Sequence, residues 1–260
     1  MSRHLDRILA ERLITTYHQP IFDLASGEIR AVEALSRGPA GNLEAPDLLF
    51  SYAQKLRRTA PLDLLCIEQA LASAPRRSPS GKPLRLFVNL HADTLTYGEK
   101  IVEALLQRLR TAGVAPEELT IEVTEQLPVH DYSLFLGNLH RLRSAGAHIA
   151  IDDLGLGYSN LKLVIEIMPE YFKIDHYFIS GIAADRRKRK MVEMIRHMAD
   201  GFGIMTIAEG VETPAELAVL RELKMPWVQG FLLAGPRPAG ELPLSMSGDG
   251  GRSTTEGTGA

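Results

Sequence analysis

The chain has almost no sulfur chemistry to offer: one cysteine, Cys66, among 260 residues. A single thiol excludes an internal disulfide and a cysteine-ligated zinc cluster. Its setting in Leu62-Asp-Leu-Leu-Cys-Ile67 reads as a small, buried apolar side chain. Neither sign of charge is in large excess, with 29 Lys and Arg against 32 Asp and Glu and a pI near 6.3. That argues against binding long nucleic acid, which takes a basic surface, and leaves open a small phosphorylated ligand held through metal ions. No apolar run is long enough to span a bilayer, so membrane insertion is not expected. The opening Met1-Ser-Arg-His-Leu-Asp6 lacks a signal-peptide core, and a cytoplasmic location is the expectation. No internal repeat points to a solenoid. An apolar content of 45% and a charged content of 23% describe a globular chain that can bury a substantial core.

Leu5, Ile8, Leu9 and Leu13 recur at helical spacing and predict an amphipathic helix over 2–15. Residues 17–24 and 28–36 read as strands around Ser26-Gly27, a turn so short that the pair must be antiparallel. Helical stretches follow near 46–57 and 61–73, with Pro46 and Pro61 close to their starts, where proline is tolerated. Beyond a polar loop at 76–83 the chain alternates. Strands at 84–90, 119–123, 148–151, 171–174, 204–208 and 227–229 are separated by helices near 99–111, 132–144, 159–167, 187–200 and 214–223. Such alternation implies parallel strands with crossover helices. With the hairpin it gives eight strands, and the expected fold is α/β, a (β/α)8 TIM-like barrel with an antiparallel first strand. The expected organisation is an N-terminal helix over 1–16 packing on the barrel, a barrel domain over 17–243, and a tail over 244–260 too poor in apolar residues to fold.

Ile149-Ala-Ile151 is a buried-strand pattern running into Asp152 and Asp153, then a turn with Gly155 and Gly157 and a possible helix cap at Ser159 or Asn160. Neighbouring strand residues face opposite ways, so two such acids act together only where the strand ends. Other strands also finish in polar residues: Glu33, Asn89, Glu122 with Glu125, Lys173 with Asp175, Glu209 with Glu212, and Gln229. Each alone reads more readily as a solvated group. Together they ring the C-terminal end of a barrel, the face that carries active sites. So many carboxylates must be relieved by raised pKa values or by metal ions. Oxygen ligands without cysteine suit hard cations such as magnesium or manganese, a pair of which can clamp the two oxygens of a phosphodiester displacement. A lysine on the same rim could stabilise the developing charge or orient water.

Glu33-Ala-Leu-Ser-Arg37 resembles the motif that names the EAL domain, the cyclic di-GMP phosphodiesterase family. The resemblance runs from about Tyr17 to Pro238 through His18-Gln-Pro-Ile21, Phe87-Val-Asn89, Glu122-Val-Thr-Glu125, Asp152-Asp-Leu-Gly-Leu-Gly-Tyr-Ser159, Phe172-Lys-Ile-Asp175, Ala208-Glu-Gly-Val-Glu212 and Gln229-Gly-Phe231. It implies hydrolysis of cyclic di-GMP to linear 5'-pGpG with two divalent cations, Mg2+ or Mn2+, in a homodimer. By the same resemblance Glu33, Asn89, Glu122 and Asp152 match ligands of one ion. Asp152 bridges to a second ion that Asp153 also binds. Lys173 matches the lysine that holds the attacking water, and Glu209 the carboxylate that supports that water or the second metal. Glu125 matches an anchor of the loop after Asp153. Gln19, Leu35, Arg37 and Gln229 match substrate contacts, and Asp175 and Glu212 join them as candidates on the same rim.

Three positions depart from the family pattern. Leu154 stands where phenylalanine is usual, Leu156 where threonine or another small residue is usual, and His91 where serine is frequent. His91 reads as a hydrogen-bonding loop residue in preference to an additional metal ligand, and Leu156 is expected to pack against a partner subunit or a neighbouring helix. Asp185-Arg-Arg-Lys-Arg-Lys190 reads as a solvated run opening a helix, Trp227 as core packing, and Met191, Met194 and Met198 as facing the barrel. Two other readings compete. A receptor of the same fold would bind without turnover. A Schiff-base enzyme would use Lys173, a chemistry that wants a desolvated amine of lowered pKa rather than one ringed by acids.

Overall fold

The computed structural model describes residues 2–98, 100–124, 131–154 and 161–246. Eight strands close into a barrel in sequence order: β1 Thr15–Asp23, β2 Ile29–Arg37, β3 Arg85–Asn89, β4 Leu119–Thr124, β5 His148–Leu154, β6 Tyr171–Ile174, β7 Met205–Ala208 and β8 Trp227–Val228. β1 runs antiparallel to both its neighbours, β2 and β8, and every other pairing is parallel. The barrel with its reversed first strand is therefore as the sequence predicts. The helices are α1 Ser2–Glu11, α2 Pro46–Lys55, α3 Thr59–Ser73, α4 Ala92–Leu95, α5 Lys100–Ala112, α6 Tyr132–Ser144, α7 Leu161–Ile167, α8 His176–Ile179, α9 Arg186–Phe202 and α10 Pro214–Glu222. None of the described helices is long and apolar enough to cross a membrane.

Local chemistry sets the element ends. α1 stops at Glu11 rather than 15 because Arg12 takes a left-handed backbone (φ 58°). Asp185 caps α9 by accepting from the Arg187 and Lys188 amides, and Gly203, at φ 72°, closes it. Thr213 and Glu216 form a capping box at α10 behind Pro214. β5 is longer than the sequence suggests. Asp152 pairs with Thr124 inside the β4–β5 ladder, and the strand continues to Leu154 with an irregular register against β6 after Ile151. The two acids thus sit within the strand, and the irregularity replaces the expected strand end. The four-residue helices α4 and α8 were not anticipated.

Apolar residues form three bodies. The largest lies between strands and helices, with Val32, Ile121, Ile149 and Phe172 facing Ile67, Leu105, Leu139, Val192 and Leu220. A second joins Leu5 and Ile8 of α1 to Leu49, Leu62 and Leu65, so α1 rests on α2 and α3. The third plugs the barrel interior with Ile21, Ala31, Phe87, Ala150, Tyr171 and Ile207. Trp227 packs on this plug and stacks on Tyr171 at 5.4 Å. Met191 and Met194 do not face the barrel: they are 45% and 56% exposed, and Val192, Ile195 and Ala199 supply the buried side of α9. Helical spacing alone cannot say which stripe is turned inward, and Met191 and Met194 lie beside the buried one.

Candidate active site

The interior plug positions the site by simple alternation. Side chains on a strand share a face every second residue. Two residues beyond Ala31, Phe87, Ala150, Tyr171, Ile207 and Trp227 come Glu33, Asn89, Asp152, Lys173, Glu209 and Gln229. β1 runs the other way, so its interior residue above Ile21 is Gln19. Glu122 pairs with Ala150 and with Asn89 across the sheet and completes the ring.

Lys173 stands at the centre, only 1% exposed. Its Nζ lies 2.8 Å from Glu209 Oε1, 2.9 Å from Glu122 Oε1, 3.4 Å from Glu33 Oε2 and 3.5 Å from Asp152 Oδ1. Glu33 is braced from both sides, by Asn89 Nδ2 donating to Oε1 (3.1 Å) and Gln229 Nε2 donating to Oε2 (2.8 Å). Burial pushes the Glu33 pKa upward, but the Lys173 charge and the amide donors prevail and hold it below the ordinary value. Burial, then the Glu33 charge, drives Glu122 well above the carboxylate range despite Lys173. Glu209 is raised well above it too, by burial and by the Asp152 and Glu33 charges. Burial would lower the Lys173 pKa, but Asp152, Glu122, Glu209 and Glu33 outweigh it and hold the ammonium charged. A charged lysine cannot attack a carbonyl, which removes the basis of the Schiff-base reading.

Among the described residues no three His, Cys, Asp or Glu side chains are gathered in metal-holding geometry; the carboxylates are gathered around Lys173 Nζ instead. Two observations nevertheless fit hard divalent cations. Four carboxylates face one ammonium, leaving three charges without a counter-charge if all are ionised. Glu122, 1% exposed, has an Oε2 with no hydrogen-bond partner, and Gln229 Oε1 is equally orphaned. Buried oxygens in surplus, without sulfur, are the donor set such cations prefer.

The other candidates spread around this centre. Leu35 and Arg37 line a groove of about 870 Å3 that also reaches Glu33 and Asn89. Arg37 Nη1 donates to the Ser36 carbonyl, and Gln19 Nε2 to the Ala234 carbonyl. Asp175 Oδ1 is taken up in capping α8 through the Tyr177 amide (2.7 Å). Glu212 lies at the exposed rim, 3.8 Å from His176 Nε2. Asp153 is in β5, but its side chain falls outside the described part, as do Glu125, the loop 155–160 with Leu156, and residues 247–260. His91 is a hydrogen-bonded loop residue, as expected, with Nδ1 3.0 Å from Asp63 Oδ1. Its partner Asp63 and its ring neighbour Phe50 were missed; both lie in helical apolar stretches with no local signal of function.

A sequence model described as the EAL domain matches residues 2–236. The chain is 33% identical over 245 residues to the cyclic di-GMP phosphodiesterase NbdA of Pseudomonas aeruginosa, covering 93% of this chain and 31% of that protein. It thus spans about a third of the length of that curated relative. Among solved structures, the PaMucR phosphodiesterase in complex with c-di-GMP superposes with a TM-score of 0.80 at 28% identity, over 92% of this chain and 98% of that one. Klebsiella pneumoniae BlrP1, solved with manganese and cyclic di-GMP, gives 0.78 at 32% identity, over 86% of this chain and 56% of that one.

Proposed function

The chain belongs to the EAL domain family, and on that premise we propose that it hydrolyses cyclic di-GMP to linear 5'-pGpG. The observation that carries the reading is the convergence of Glu33, Glu122, Asp152 and Glu209 on Lys173 Nζ at the C-terminal mouth of the barrel. Two divalent cations, magnesium or manganese, held by Glu33, Asn89, Glu122, Asp152 and Asp153, would neutralise this acidic mouth and supply Lewis acidity toward a phosphodiester. The chain's own groups do the rest. Asn89 and Gln229 hold the Glu33 carboxylate in place. The Lys173 ammonium, buried and held charged, orients a water in line with phosphorus. Glu209 Oε1, 2.8 Å from Lys173 Nζ, would accept the water proton once the cations neutralising the mouth leave its carboxylate ionised. The new P–O bond forms as the bond to the ribose 3'-oxygen breaks, and that oxygen takes a proton from solvent and leaves as the 3'-hydroxyl. Arg37, on the groove wall, pairs with phosphate oxygens through its planar fork. Gln19 and Leu35 help hold the substrate.

We extend the proposal to a cytoplasmic homodimer, which sedimentation velocity tests. The function itself is tested by incubating the purified chain with cyclic di-GMP and Mn2+ and separating products by chromatography. Appearance of pGpG, lost in EDTA, is expected. Tight binding with no product would replace this reading with the receptor.

A further inference from the structure

Beside the carboxylates, the groove of about 870 Å3 runs from Glu33 and Asn89 past Arg37 to Phe50 and His91. His91 is fixed there more firmly than a loop histidine needs to be. Its backbone amide donates to Asp63 Oδ2 (3.1 Å), its ring Nδ1 lies 3.0 Å from Asp63 Oδ1, and Thr94 Oγ1 donates to Oδ2 (2.5 Å). Asp63 is 1% exposed, so a buried carboxylate is committed to this one turn. The His91 ring stacks on Phe50 with centroids 4.4 Å apart and planes 26° apart. A strut could hold the turn through the backbone amide and Thr94 alone. The ring bond adds something else, a fixed plane with one flank on Phe50 and a third of the side chain still exposed.

We propose that His91 is a further substrate-contact residue: backed by Phe50, its open ring face forms the groove wall on which one guanine base of the cyclic dinucleotide stacks. The proposal rests on the reading of the chain as a cyclic di-GMP phosphodiesterase. A flat, preset aromatic surface is what a purine binds, and a ring held on two sides pays little ordering entropy when the base arrives.

The test is steady-state kinetics of His91→Ser and His91→Phe with cyclic di-GMP, alongside calorimetric Mn2+ titration. His91→Ser is expected to raise KM for cyclic di-GMP about tenfold, the scale of one base–aromatic stack, with kcat within about twofold. His91→Phe restores an aromatic face, so KM returns toward wild type. Mn2+ affinity stays unchanged in both, showing that Asn89, two residues away, has not moved. An unchanged KM in His91→Ser, or a loss confined to kcat with weakened Mn2+ binding, overturns the proposal and leaves the activity standing. A KM in His91→Phe as high as in His91→Ser also overturns the stack. If the wild type binds without turnover, the activity reading fails and the dissociation constants of the same variants decide His91 by the same margin. A wild type that neither binds nor turns over cyclic di-GMP overturns both.

Discussion

Lys173→Met removes the ammonium from the middle of four carboxylates and keeps a stem of similar length. Lys173 is fully buried and its nearest oxygens are at 2.8 and 2.9 Å, so its loss leaves like charges facing one another in a dry site. Removing one partner of a buried ion pair costs about 3–5 kcal/mol. At 2–4 °C per kcal/mol for a chain of this size, the melting temperature in EDTA should fall by about 6–20 °C. The direction with pH follows from linkage. Glu122 and Glu209 hold protons in the folded chain at pH values where the unfolded chain has lost them, so stability falls as pH rises from 4.5 through their raised folded values. Without Lys173 those values climb further and the penalty widens. The loss should therefore be larger at pH 8 than at pH 5.5. Saturating Mn2+ should return part of it, since added cations take over the neutralising charge. Differential scanning fluorimetry at both pH values, with EDTA and with Mn2+, reads all of this. A drop under about 2 °C in EDTA at pH 8, or one that shrinks as pH rises, refutes the electrostatic account.

Arg37→Ala should raise KM for cyclic di-GMP with little change in kcat, because a lost groove contact weakens the binding of substrate and of transition state equally; a kcat effect alone would contradict its placement. Gly230→Ala puts a Cβ 2.2 Å from the Val211 backbone nitrogen and oxygen, so chemical denaturation should show a loss of about 1–3 kcal/mol or non-folding, and a neutral result would show that the 208–212 turn yields freely. Glu216 is 5% exposed and accepts from the Gly181, Glu212 and Thr213 amides, bonds that outweigh burial and depress its pKa. Its stabilisation is full above the unfolded value of 4.5 and fades as pH falls through the depressed folded one. Glu216→Gln should cost about 1.5–3 kcal/mol at pH 7 and less at pH 3, and a pH-independent cost would remove the carboxylate from the explanation.

The barrel was legible because strand alternation is local. Ala31 and Glu33, or Tyr171 and Lys173, declare their shared face within three residues, and the polar members of eight such strands arrive at one mouth once the sheet closes. What the cluster does with its charge was not legible. That Lys173 sits at the common centre, and that Asn89 and Gln229 brace Glu33, depends on distances between strands far apart in the chain. The Asp63–His91–Phe50 assembly was hidden for the same reason, since its partners lie 28 and 41 residues apart in sequence. β5 was read short because Asp152 and Asp153 look like a strand end, whereas an irregular register carries the strand past them. α4 and α8 are too short to show a helical period.

The most direct test of the central claim is turnover of cyclic di-GMP in Mn2+ by the wild type and by Asp152→Asn, followed chromatographically, with melting temperatures measured beside it. The account predicts pGpG from the wild type and none from Asp152→Asn, whose fold is retained. Wild-type turnover in Asp152→Asn would contradict it.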